Sequence, residues 1–378
     1  MFTAVRGTRE YWSQKYGYLE ILDEKLGPAT FFITLSCAEY SWQETRSFLT
    51  RVNEDIPNVE SVTISSLTAI DPVSVCMVFE NRWRAFLNTV ILDPQGPVGI
   101  VTDYFWRLEY QARGAPHIHM KIWVEKAPIF GVSTNEEVLN FIKKYITCSI
   151  PRDHDELKGL VTKFQTHECR SSCRRFCMSK KSAGIKCRYG FPRLINNNAS
   201  MNSVAESVKS KQSKHTVKIY SLERKENEQF INDYNPTILL VWAANMDIQY
   251  ICESSMVLNR CITTYVTKAE KNASEAIWNE VNRRPTLHAT LKSYALMSFK
   301  NRETGALEVA HKLLGYSLYG MSKHVKWLGA TIKGCRSRRL KEMKEIQKMD
   351  KNDTTIYNKN LIDNYYPNRP DVLEKVCL

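Results

Sequence analysis

Glu109-Tyr110-Gln111-Ala112-Arg113-Gly114-Ala115-Pro116-His117-Ile118-His119 is the stretch on which the reading of this chain turns. Before it, Thr102 to Gln111 is aromatic and apolar with polar interruptions, and after it His117 to Val124 alternates again. Turn residues lie between, from Arg113 to Pro116, so the pattern predicts a β-hairpin. Strand side chains alternate faces, which points His117 and His119 the same way. A turn closing over Arg113 and Gly114 lays Glu109 on the opposite strand within reach of that face. Two imidazoles and one carboxylate with open coordination positions could then hold one divalent metal ion and polarise a phosphate oxygen.

Working outward, Arg9 to Leu26 reads as a helix that stops at Gly27-Pro28, and Thr30 to Cys37 (TFFITLSC) as a central strand. Pro72 to Leu92 carries apolar residues at helical spacing, from Val75 to Val90, and is expected to pack on the sheet. Leu139 to Ile146 is a further expected helix, Ile238 to Tyr250 is expected to be strand-like, and Met256 to Lys268 helical. The whole predicts an α+β fold, a central antiparallel sheet with flanking helices on one side. The expected division is a helical lead-in over 1–29, a central domain over 30–270 and a mainly helical region over 271–378. A cysteine-rich insert over 160–193 and an Asn, Ser and Lys-rich linker over 196–216 fall within the central domain.

The chain has 378 residues, of which 43% are hydrophobic, with eight tryptophans, enough for a substantial core. Lys plus Arg is 53 against 40 for Asp plus Glu, a net +13 that favours a polyanionic partner, with nucleic acid ahead of a membrane surface. Met1 to Trp12 lacks the apolar segment of a secretory signal, and the longest apolar run, Thr237 to Ala244, is far too short to span a bilayer. A soluble, intracellular protein is expected. The dipeptide Gly-Lys never occurs, so no phosphate loop of that kind, and no ATP-driven motor, is encoded here.

Of eleven cysteines, seven are scattered singly, while Cys169, Cys173, Cys177 and Cys187 fall close together. That grouping suits a metal knuckle in a reducing compartment better than a disulfide framework. With His167 it offers five ligands for what is normally a four-coordinate zinc site. Arg170, Arg174, Arg175, Lys180, Lys181, Lys186 and Arg188 surround it and could meet DNA phosphates.

Several segments, in order, resemble the replication-initiator nuclease domain of Helitron rolling-circle transposases, which are His-hydrophobic-His (HUH) endonucleases. They are FFITLSC (31–37), RLEYQARGAPHIHM (107–120), CRYGFP (187–192), NMDIQ (245–249) and YVTK (265–268), followed by EVAHKLLG (308–315) and the stretch from Ile362 to Leu378 with Asn368-Arg-Pro. The resemblance implies an HUH-like fold and a metal-dependent, single-stranded DNA endonuclease and strand transferase. His117 and His119 would be ligands to Mg²⁺ or Mn²⁺, with Glu109 inferred as the third, and Tyr265 would form a 5′-phosphotyrosine link, with Lys268 one turn on near the phosphate. It also favours His167, Cys169, Cys173 and Cys187 as the zinc ligands, with Cys177 the alternate. Nuclear residence and a helicase, encoded separately or in a longer polypeptide, are further implications.

The chain departs from the family pattern at the nucleophile. The transposases usually carry two tyrosines four residues apart on one helix, and here the first position is Cys261. Thr264 also stands where a lysine often precedes the second tyrosine. Either Tyr265 works alone, or the chain is a transposon-derived DNA-binding protein that no longer cleaves.

Overall fold

In the computed structural model, the described residues are 9–110, 114–171, 173–179, 182–202, 218–268, 304–325, 338–350 and 352–371, with 286, 289 and 336; at 9, 175–179, 182–186, 361, 366 and 367 only the backbone is described. Two compact units divide at Lys323 and His324.

The first unit is built on five strands. They are β1 (Phe31–Ser36), β2 (Val101–Tyr110), β3 (Pro116–Val124), β8 (Met246–Tyr250) and β9 (Tyr319–Met321), in the spatial order β8-β1-β3-β2-β9 with every neighbouring pair antiparallel. The α+β class and the antiparallel sheet thus stand as the sequence predicts. β3 is central and wholly buried. β9 was not anticipated: three residues are too few to show a period, and its place depends on pairing Phe105, Trp106 and Arg107 with Met321, Gly320 and Tyr319. Gly320 is required there, since a Cβ would stand 2.4 Å from the Trp106 indole nitrogen.

Register divides the sheet into two unlike faces. Phe31, Ile33 and Leu35 share one face with Ile118, Met120, Ile122, Met246, Ile248 and Tyr250, all buried. Helices α4 (Pro72–Phe86), α5 (Asn135–Tyr145) and α7 (Pro236–Trp242) cover this face. Trp83 meets Trp106 edge-on at 5.4 Å, Phe141 stacks on Phe31 at 5.7 Å, and the Trp242 indole donates to the Ser36 carbonyl at 2.8 Å. Asp71 caps α4 through the Ser74 amide, and Pro72 supplies its first turn.

The other face carries Arg107 and Glu109, His117, His119 and Lys121, Thr34 and Ser36, and Asp247 and Gln249. It too is covered, by α1 (Arg9–Leu26) and α8 (Val257–Val266), so helices flank both faces instead of one. The reason is the buried charge: the Lys121 ammonium, fully buried, needs Asp23 of α1 at 2.6 Å and the Thr263 hydroxyl of α8 at 2.9 Å.

The strand expected over Ile238 to Tyr250 is corrected in its first half. Asn235 caps a helix by accepting from the Ile238 amide at 3.0 Å, Pro236 opens it, and Ala243 closes it in the left-handed region, so strand begins only at Met246. The helix expected over Pro72 to Leu92 runs to Phe86 and continues as a π-turn over Leu87–Ile91. The cysteine-rich insert contains a hairpin of β4 (Arg174–Ser179) and β5 (Ser182–Cys187). Most of the expected linker, and most of the expected helical region before Thr304, lie outside the described residues. α9 (Ala306–Leu313) follows in the first unit; α10 (Met343–Ile346) and α11 (Leu361–Asn368) belong to the second.

Candidate metal and nucleic-acid site

The hairpin places Glu109 directly across from His117, and Arg107 across from His119. Gly114, at φ +81, takes the left-handed backbone that the turn requires. His119 Nε2 and Glu109 Oε2 are 2.8 Å apart, and the two imidazoles meet edge-on with centroids 4.6 Å apart. The Ser36 hydroxyl lies 3.0 Å from His117 Nδ1, fixing that ring as an outer partner fixes a ligating imidazole. Tyr265 of α8 reaches the same place: its ring stands 5.1 Å from that of His119, edge-on, and 6.2 Å from Phe32, whose ring in turn stacks with His119 at 5.9 Å. Glu109, His119 and Tyr265, the last well over a hundred positions away in sequence, are thereby brought together with His117 beside them, although Glu109, His117 and His119 do not close into a three-ligand group as the His167 cluster does among the described residues.

Charge at the site is set by competing effects. Burial would raise the Glu109 carboxyl, but the hydrogen bond and charge of His119, with Arg107 and His117, outweigh it and hold it at about 2. Burial pushes the Tyr265 phenol up to about 12, helped by the Glu109 charge and opposed by Arg107. Tyr265 is therefore a neutral phenol at physiological pH.

Whether these residues fit a cation can be judged on their atoms. Glu109 and His119 present an oxygen and a nitrogen about as far apart as adjacent ligands of an octahedral ion at about 2.1 Å, roughly 3 Å. His119 Nδ1, the ring nitrogen that does not face Glu109, is buried with no hydrogen-bond partner among the described residues. Mixed imidazole and carboxylate donors suit a divalent first-row ion.

Arg107 and Ser36 were not singled out from the sequence. Arg107, 1% exposed, donates through Nη1 to the carbonyls of Val266 at 2.5 Å and Lys268 at 2.6 Å, while its guanidinium lies 3.8 Å over the Trp12 ring. It clamps the end of the helix that bears Tyr265. The available signal was position: Arg107 alternates with Glu109 on one strand face. Lys268 takes part through its carbonyl, and the residue itself is exposed. Cys261 lies one turn before Tyr265 and is half-buried.

The second cluster forms from the insert. His167, Cys169, Cys173 and Cys187 bring their ligand atoms within 4.8 Å of one another and could hold a metal ion such as zinc. His167 Nε2 lies 3.3 Å from Cys187 Sγ and 3.6 Å from Cys173 Sγ. The Cys187 thiol is lowered: burial opposes ionisation, but the amides of Phe191 and Tyr189 and the neighbouring thiols favour its thiolate. Cys169 is pushed the other way, to about 11, by burial and by Cys187 and Cys173. A lowered thiol among thiols that would ionise on binding is the character of a ligand set. The side chain of Cys177, like those of Arg175, Lys180, Lys181 and Lys186, lies outside the described residues.

An antiparallel α+β domain with a His-x-His and Glu face and a His/Cys cluster therefore defines the class. Residues 1–122 match the family model described as the Helitron helicase-like domain at the N-terminus, and no match is found among curated proteins. The first 122 residues of this 378-residue chain are thus similar to a Helitron helicase-like N-terminal domain. The matched stretch holds Glu109, His117 and His119; the cysteine cluster and Tyr265 lie beyond it. Among the described residues no helix is long and apolar enough to cross a membrane.

Proposed function

We propose that this chain is a Helitron-type, metal-dependent endonuclease and strand transferase acting on single-stranded DNA. The observation that carries the reading is the approach of Tyr265 to His119 on the face shared by Glu109 and His117. The HUH-like assignment rests on the same arrangement. Mg²⁺ or Mn²⁺, held by His117, His119 and Glu109, would offset charge on the scissile phosphate oxygens. Tyr265 Oη attacks phosphorus, the bond to the 3′-oxygen breaks, and the phenolic proton goes to the departing 3′-hydroxyl, leaving a 5′-phosphotyrosine link. Arg107 holds the end of α8, so the phenol is kept in place while its proton is lost. The net +13 supports a polyanionic partner, and zinc in the His167, Cys169, Cys173 and Cys187 cluster would pin the basic insert. Unwinding would come from a separate helicase or a longer polypeptide, and residence in the nucleus follows from a transposon role.

The second reading is a DNA-binding descendant that does not cleave, and Cys261 in place of a tyrosine favours it. Covalent capture separates the two. Labelled single-stranded oligonucleotides with Mn²⁺ should give a denaturation-resistant adduct that Tyr265→Phe and His117→Ala abolish. DNA retardation without an adduct would establish the second reading instead.

A further inference from the structure

Beside the His117 site lies a cavity of about 500 Å³, walled by the edge strand β8, the π-turn Val161–Gln165 and the loop following Cys187. That volume lies in the range of small-ligand sites. Its walls differ in chemistry. Tyr189 offers an aromatic ring beside the buried Phe191, Lys163 and Arg193 supply cations together with Arg170 and Lys218, which are paired to Glu168 and Asp233, and Asn245 and Asp247 present hydrogen-bonding edges from the sheet. Aromatic planes with cations and a few polar edges match an unstacked base on a phosphate backbone.

The cavity is tied to the histidines. Asp247 pairs with Thr34, which pairs with His119, so they stand two strand spacings apart, about 10 Å. The Ser36 hydroxyl bridges them, contacting His117 Nδ1 at 3.0 Å and Asn245 Oδ1 at 3.4 Å. A strand with one phosphate at His117 and His119 would bring a neighbouring nucleotide to this opening.

We propose that this cavity is a base-selective subsite of the single-stranded DNA path, receiving one unpaired base next to the phosphate at the histidines, and that Asp247 makes it prefer cytosine over thymine. The proposal rests on the DNA-directed reading above. Asp247 accepts from the Asn232 amide at 2.8 Å and lies 3.7 Å from the Lys218 ammonium, which orient its carboxylate while leaving acceptor capacity over. A carboxylate accepts from the exocyclic amino group of cytosine and repels the O4 carbonyl of thymine. Tyr189, 39% exposed, is the stacking plane at the mouth.

The test is fluorescence anisotropy with the full zinc-loaded chain and labelled dC12 and dT12, without Mg²⁺ or Mn²⁺ so that nothing is cleaved. The wild-type chain should bind dC12 about tenfold more tightly than dT12. Asp247→Asn, whose amide can donate to thymine O4, should abolish or invert that ratio at unchanged melting temperature. Tyr189→Ala should weaken both oligonucleotides about tenfold alike. Equal affinity of the wild-type chain for the two, binding of neither, or a preference that survives Asp247→Asn overturns the subsite. A covalent-capture run with Mn²⁺ on the same preparation separates the two readings: an adduct without base preference sinks the subsite alone, and base preference without an adduct sinks the nuclease alone.

Discussion

Removing the carboxylate of Asp23 should unfasten the helix that carries Tyr265. Lys121 is fully buried at the centre of the sheet, and its ammonium is met by Asp23 at 2.6 Å and by Thr263 at 2.9 Å, with the Thr263 hydroxyl also 2.6 Å from the second Asp23 oxygen. Three elements, α1, β3 and α8, are therefore joined through one closed polar knot. Asp23→Ala leaves a buried cation without its counter-charge, at a cost of about 3–5 kcal/mol. At about 2 °C per kcal/mol for a domain of this size, the melting temperature should fall by about 6–10 °C. Asp23→Leu combined with Lys121→Met removes both charges and should recover all but about 1 kcal/mol, because the pair repays little beyond its own desolvation. The assay is thermal melting by calorimetry with tryptophan fluorescence alongside, since Trp12 on α1 packs at the same face. A single mutant within 1 kcal/mol of wild type, or a double mutant as unstable as the sum of its parts, would refute the argument.

Two further outcomes follow from the insert and its support. Cys187→Ser should abolish stoichiometric metal binding measured by plasma mass spectrometry, while Cys177→Ala should leave it intact; loss of metal in both variants would replace His167 by Cys177 in the ligand set. Asp233, buried against Arg224 at 3.0 Å and Lys218 at 2.8 Å, has its carboxyl lowered: burial opposes this, but the two cations outweigh it. Its contribution is therefore present above about pH 4, the unfolded value, and lost as pH falls through the lower folded value. Asp233→Ala should cost about 3–5 kcal/mol at pH 7 and less as the pH is lowered, read from urea midpoints across that range; a cost that does not shrink in acid would count against the pair.

How far the sequence carried the fold depends on whether each feature was local. The hairpin was legible because its period, its glycine turn and its cross-strand pair all lie within a short span, and Glu109 does stand across from His117. Helix α1 was legible because Gly27 and Pro28 end it, and its bounds agree to the residue. Ile238 to Trp242 misled because a short apolar run has no resolvable period, and the cap at Asn235 with the proline after it decided for helix. β9 and the cover on the polar face were invisible for a different reason: both depend on partners about one to two hundred positions away.

The same distinction governs the site. Sequence could nominate ligands, because a His-x-His pair is a local pattern, but not the residues that orient them. Ser36 reaches His117 across 81 positions, and Arg107 reaches the end of α8 across 159. These supports bear on the proposed role of Tyr265. Tyr265 is held by Arg107 at the helix end and by Thr263 in the Lys121 knot two residues earlier, whereas no such fastening stands at Cys261, one turn toward the helix start, among the contacts described. The position the scaffold fixes is the one that keeps its phenol. If Tyr265 alone cleaves, Arg107→Met should lower adduct formation well below the loss in DNA affinity, because it disturbs the aim of the phenol and touches no nucleotide; equal losses in both would mean that Arg107 serves only the fold.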